Sequence, residues 1–215
     1  MPGSRTEVRY SDVVSHIPLL SVAWVPDDDP TRDWDIAARL AAAWVDDRCR
    51  YEGATGVLVT NTMDYLGVPA LDAFATRHVR TSPRAARQRV GSGVGPVLSY
   101  VPHEKDLETA MNLARGSSLG VVETVSFPLL GWASWFEAWD LVRQEPTRPL
   151  PESVRECVER LALYGNNGFG DHFGKRQAQS ILERLDEPAR KASALLPGAL
   201  VAAGVSPPAS GISGN

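Results

Sequence analysis

The chain has 215 residues, 43% of them hydrophobic, and a formal net charge of -4 at pH 7. That is apolar material for one domain of ordinary size plus a small appendage, and too little for two full domains. The charge balance argues against a globally basic nucleic-acid binder, no apolar run is long enough to span a membrane, and the first thirty residues lack the features of a secretory signal, so a cytoplasmic protein is expected. Cys49 and Cys157 belong to no CxxC or Cys/His cluster and read as buried thiols.

In chain order, residues 1–10 are polar and read as an arm. Residues 21–25 (SVAWV) form the first strand, stopped by Pro26 and a charged loop of Asp27, Asp28 and Asp29. Thr31 or Asp33 caps the helix that follows. Its face is written by Ile36, Ala37, Leu40, Ala41, Trp44 and Val45, and Gly53 closes it. Residues 56–61 (GVLVTN) are the second strand. Pro69 fits the first turn of the next helix, on which Leu71, Phe74, Ala75 and His78 share a face and which is predicted to end near Val79. Residues 80–95 make a connection longer than compact α/β domains usually need.

A complete β-α-β unit follows. Residues 96–101 (PVLSYV) form a buried strand; Leu107, Ala110, Met111 and Ala114 recur at helical spacing; Gly116 ends that helix; and residues 118–123 (SLGVVE) form another strand. Two strands joined by a helix are parallel. Beyond Phe127 and Pro128, Trp132, Trp135 and Trp139 are predicted to share one helix face. The proline-rich run over residues 144–151 (QEPTRPLP) reads as a linker. A helix with Val154, Cys157, Val158 and Leu161, a glycine-rich loop over residues 165–174 and a helix with Ala178, Ile181, Leu182 and Leu185 come next. Lys175 and Arg176 open the second of these helices, although the turn before it is too long for a helix-turn-helix. The expected fold is a Rossmann-like three-layer α/β domain over residues 1–143 with a parallel sheet of about four strands, the linker, a helical appendage over residues 152–204, and a disordered tail over residues 205–215.

In an open parallel sheet, ligands bind outside the carboxyl ends of the strands. That edge collects Asp27, Asp28 and Asp29, then Asn61, Thr62 and Asp64, then His103 and Glu104, then Glu123, Thr124 and Ser126. Converging carboxylates suit Mg²⁺, with Asp64 and Glu123 as ligands. Glu123 ends an apolar strand with no helix cap to account for it, so it and Glu104 join His103 as catalytic candidates, the histidine because it titrates near neutrality. The densest charge signal lies elsewhere. Arg77, Arg80, Arg84, Arg87 and Arg89 fall in a stretch without acids, and Ser92 and Gly93 follow within a GSGVG run. Arginine forks and glycine N–H groups both bind phosphate, although this glycine run enters a strand rather than leaving one. On the four-strand reading, the arginines start at the amino edge of the sheet.

Three functions compete. The first is binding of a phosphate-bearing partner, nucleic acid or nucleotide, through Arg80, Arg84, Arg87, Arg89, Ser92 and Gly93, with Asn61 and Thr62 at the crevice. The second is a metal-dependent phosphohydrolase or nuclease built on His103, Glu104, Glu123 and Asp64. The third is a protein-protein role through the Trp132, Trp135 and Trp139 face. The arginine segment is the denser signal and puts binding first.

Overall fold

A computed structural model describes residues 17–61, 67–82, 84–85, 93–165, 172–185 and 187–205. Its centre is a mixed, mostly parallel sheet of seven strands rather than about four. The strands are β1 (Ser21–Val25), β2 (Val57–Thr60), β3 (Val79–Thr81), β4 (Val97–Tyr100), β5 (Ser118–Val122), β6 (Trp139–Asp140) and β7 (Glu145–Pro146), in the order β3-β2-β4-β5-β1-β6-β7. Only the β6–β7 pair is antiparallel. Three of these strands escape a reading by apolar runs because each has only two or three residues and carries charge or proline.

The helices are α1 (Trp34–Glu52), α2 (Pro69–Ala75), α3 (Glu104–Leu113), α4 (Leu130–Phe136), α5 (Glu152–Gly165), α6 (His172–Glu183), α7 (Glu187–Lys191) and, after a 3-10 turn, α8 (Leu196–Ala202). Alternation along the strands feeds two cores. Ala23, Val25, Leu58, Leu98, Tyr100 and Val122 face α1 and α2, while Trp24, Val57, Val59, Val97, Leu119 and Val121 face α3, α4 and the C-terminal helices. The crossovers through α1 and α2 move one way along the sheet and those through α3 and α4 move the other way on the opposite face, which gives all of them one hand.

Several expectations need correcting. The buried stripe of α1 is Ala37, Ala38, Ala41, Ala42, Val45 and Cys49; Ile36 is exposed, because small residues let the helix lie close to the sheet and displace the bulkier ones to its flanks. Helix α2 stops at Ala75, where the Thr76 hydroxyl bonds the Ala73 carbonyl, so His78 lies beyond it and Val79 begins β3. Helix α4 ends at Phe136, with Glu137 left-handed at φ 50°, so Trp139 leaves the helix and enters β6. Trp132 and Trp135 are core residues, and no exposed face of three tryptophans exists to dock a partner. Last, Val205 is buried, its N–H donating to the Leu200 carbonyl at 2.9 Å, instead of starting a tail. Gly53 is a left-handed helix stop, as its position predicts, whereas α3 has already ended at Leu113 with Ala114 as its cap, and left-handed Gly116 donates its N–H to the Pro18 carbonyl at 2.7 Å.

Residues 145–146 of the proline-rich run pair as β7, and Thr147 accepts the Trp24 indole N–H at 2.8 Å. Beyond them, α8 lies against α4 backbone to backbone. A Cβ on Gly131 would fall 1.8 Å from the Leu195 carbonyl oxygen, and one on Gly198 would fall 2.8 Å from the Trp132 nitrogen. Val154, Val158, Leu161 and Leu200 accordingly share one apolar cluster with Trp24, Leu119 and Val121 of the sheet.

Candidate functional site

Two pairs of neighbouring strands send their following helices to opposite faces, β5 with β1 and β4 with β2, and each pair opens a crevice at the carboxyl edge. At the β5/β1 crevice, Glu123 is buried with both carboxylate oxygens committed to backbone. Oε2 accepts the Asp27 N–H at 2.7 Å and Oε1 accepts the Leu129 N–H, so this side chain ties the loops after β1 and β5 together. Sequence offers no such role, because Asp27 lies in the loop after β1 and Leu129, at the N-cap of α4, is six residues away from Glu123. Burial pushes the carboxyl above its ordinary value, against the pull of the two N–H groups.

Of the neighbouring acids, Asp27 keeps a water-shielded Oδ2 without a partner among the described residues, whereas Asp28 and Asp29 are engaged. Asp28 pairs with Arg32 at 3.1 Å and with Arg143, which also bonds buried Asp140 at 2.5 Å. Burial raises the Asp28 carboxyl, but these guanidiniums more than offset that and hold it low. Asp29 accepts the N–H and the hydroxyl of Thr31. The space left between Val25, Pro26, Asp27, Arg32, Trp34 and Glu123 is a cavity of about 10 Å³, room for one water at most.

The β4/β2 crevice is put together differently. Asn61, at the end of β2, donates from Nδ2 to the Val101 carbonyl at 2.8 Å, while its Oδ1 is shielded from water and has no partner among the described residues. Val101 turns the chain with a positive φ of 44°, an uncommon conformation for a β-branched residue. His103 then opens α3, its backbone N–H donating to Asp106 at 3.2 Å, and its ring is exposed. Burial and then Glu108 raise the Glu104 carboxyl. Trp34, the first residue of α1, stands between the two crevices. One side of its indole closes the small cavity and its ring meets Tyr100 edge to face at 6.4 Å, yet it remains 43% exposed. Sequence periodicity passes over Trp34 because it lies off the alanine stripe, and that displacement is the signal that could have found it.

The extra strand β3 also relocates the arginines. Because β3 runs parallel to β2, Arg80 lies within a strand and exposed Arg84 follows the carboxyl end of the sheet, on the same edge as Asn61 and His103 rather than the amino edge. The arginine segment re-enters the described chain at Gly93, where φ is +71° and a Cβ would fall 2.8 Å from the Arg115 carbonyl oxygen. Its N–H and that of Val94 donate to Asn112 and Leu113, so the end of the glycine run caps α3. Thr62, Asp64, Arg87, Arg89 and Ser92 lie outside the described residues. Glu123, although it ends the strand next to His103, turns its carboxylate toward Asp27 and Leu129. Among the described residues, no group of three or more His, Cys, Asp or Glu side chains is arranged to hold a metal.

Two larger clefts open at the amino edge. One, of about 590 Å³, contains Asp46, Cys49, Arg77 and His78. Asp46 is bonded by Arg77 at 2.7 Å and by His78 Nε2 at 2.6 Å, and Nδ1 of His78 accepts the Gly56 N–H at 3.0 Å. Both imidazole nitrogens are therefore occupied in tying β3 to α1, and burial pushes the Cys49 thiol up to about 11, leaving neither a free base nor a thiolate there. The other, of about 370 Å³, is lined by Leu20, Trp44, Arg48 and Trp139, with Arg48 stacked over the Trp44 ring at 5.5 Å.

No family model, curated protein or solved structure matches the chain. Among the described residues, no helix is long and apolar enough to cross a membrane.

Proposed function

We propose that the chain binds a phosphate-bearing ligand, nucleotide or nucleic acid, at the carboxyl edge of a Rossmann-like sheet, beside the β4/β2 crevice. One observation supports this reading: β3 pairs in parallel with β2, so Arg84, which follows β3, comes at the edge where open parallel sheets bind ligands. Arg84 supplies charge there, with Arg87 and Arg89 next in sequence, and a guanidinium fork matches a phosphate in both charge and shape. The exposed His103 ring and the N-terminus of α3 add donors at the same edge. A Mg²⁺-dependent hydrolase built on Glu123 has less support, since both oxygens of that carboxylate already hold backbone N–H groups.

Fluorescence anisotropy with a labelled single-stranded oligonucleotide and a labelled nucleoside triphosphate tests the reading. At least one should bind at low salt and weaken steeply as salt is added. Reversing Arg84, Arg87 and Arg89 to Glu should reduce that affinity ~100-fold or more at an unchanged melting temperature. Absence of binding by the wild type to both probes at low salt overturns it.

A further inference from the structure

We infer that the ligand carries an aromatic base, which stacks on the exposed face of the Trp34 indole; this rests on the phosphate-binding reading above. Trp24, Trp132 and Trp135 are buried, as large aromatic side chains usually are, whereas Trp34 keeps 43% of its surface in solvent at the carboxyl edge. Its placement is firm. Asp33 caps α1 by accepting the Asp35 N–H at 2.7 Å, Ala70 donates to Asp35 at 2.7 Å, and Tyr100 holds the indole edge to face at an interplanar angle of 78°. A ring fixed in this way loses little rotamer freedom when a second ring stacks on it.

Sheet geometry supplies the matching distance. Tyr100 closes β4, β2 is the next strand, and β3 with Arg84 beyond it is the strand after that. Two strand spacings, about 10 Å, separate β4 from β3, and the indole centroid lies 6.4 Å from that of Tyr100, so a base on Trp34 and a phosphate at Arg84 would be joined through a sugar and a phosphate chain. Asn61 stands at the end of the intervening strand, where its Nδ2 donates to the Val101 carbonyl. An isolated phosphate or a phosphorylated aliphatic chain would leave the indole unused.

Calorimetric titration of the whole protein with a purine nucleoside triphosphate and with inorganic tripolyphosphate separates the two layers of the argument. The nucleotide should bind about tenfold or more tightly than tripolyphosphate. Trp34→Ala should abolish that advantage and leave tripolyphosphate affinity unchanged, whereas Trp34→Phe should keep most of it. If Trp34→Ala fails to fold, fluorescence decides: the nucleotide should quench indole emission in the wild type, and Trp34→Phe should lose the quench. Equal affinity for both ligands, an advantage that survives Trp34→Ala, or a quench unchanged in Trp34→Phe overturns base stacking and leaves phosphate binding standing. No binding of either ligand overturns both.

Discussion

The β5/β1 and β4/β2 crevices occupy equivalent places in the topology and are finished in opposite ways. In the first, the Glu123 oxygens hold two backbone N–H groups, Asp28 is paired with two arginines, and the residual space, which Asp27 lines with an Oδ2 that has no partner among the described residues, admits one water. In the second, an amide oxygen is likewise without a partner among the described residues, but a histidine ring is exposed and an exposed arginine follows the neighbouring strand. A strand-end acid is thus no guide to chemistry by itself. What separates the two crevices is whether their charged side chains are already paired.

If the first crevice is structural, its variants should lose stability and keep ligand affinity. The largest effect is expected from Glu123→Ala, which strands two N–H groups and should cost about 2–5 kcal/mol in denaturant unfolding. Glu123→Gln should cost about 1–3 kcal/mol, because the amide NH₂ would face one of those donors. An unchanged unfolding midpoint for both would break the comparison. The acid itself gives a pH signature. Its native value lies above the ordinary 4.5, so its proton is held more tightly in the folded state. That contribution to stability is full below 4.5 and is lost as pH rises through the raised native value. The melting temperature of the wild type relative to Glu123→Gln should therefore fall across that window, and a rise would contradict the assignment.

Smaller effects sharpen the contrast. Asn61→Ala removes the bond to Val101 and should cost about 0.5–1.5 kcal/mol in unfolding, with a loss of ligand affinity that no β5/β1 variant shows. Asp28→Asn, at a partly exposed pair screened by solvent, should cost about 1 kcal/mol or less and leave affinity unchanged. A large affinity loss in Asp28→Asn would move the site to the wrong crevice.

The longer elements are legible in the sequence because their signals are redundant. Strands β1, β2, β4 and β5 are unbroken apolar runs, and α1, α2 and α3 carry a capping aspartate or an N-terminal proline. The short strands are not, since Val79-Arg80-Thr81 offers too few residues to show a period and only its pairing with β2 defines it. That one omission carries Arg84 to the other edge of the sheet. Residue types likewise pick out Glu123 and Asn61 but cannot say which has its partners, because Asp27 and Leu129 reach Glu123 through loops whose paths depend on the whole sheet. Trp34 is legible only as a helix residue off the buried stripe, which becomes meaningful once the stripe is known.

Amide and indole chemical-shift mapping of the isotopically labelled protein during titration with a nucleoside triphosphate tests the contrast most directly. The account predicts shifts at Asn61, Val101, His103, Arg84 and the Trp34 indole N–H, with Asp27, Glu123 and Leu129 unmoved. Shifts centred on Asp27, Glu123 and Leu129, or on the amino-edge residues Asp46 and His78, would contradict it.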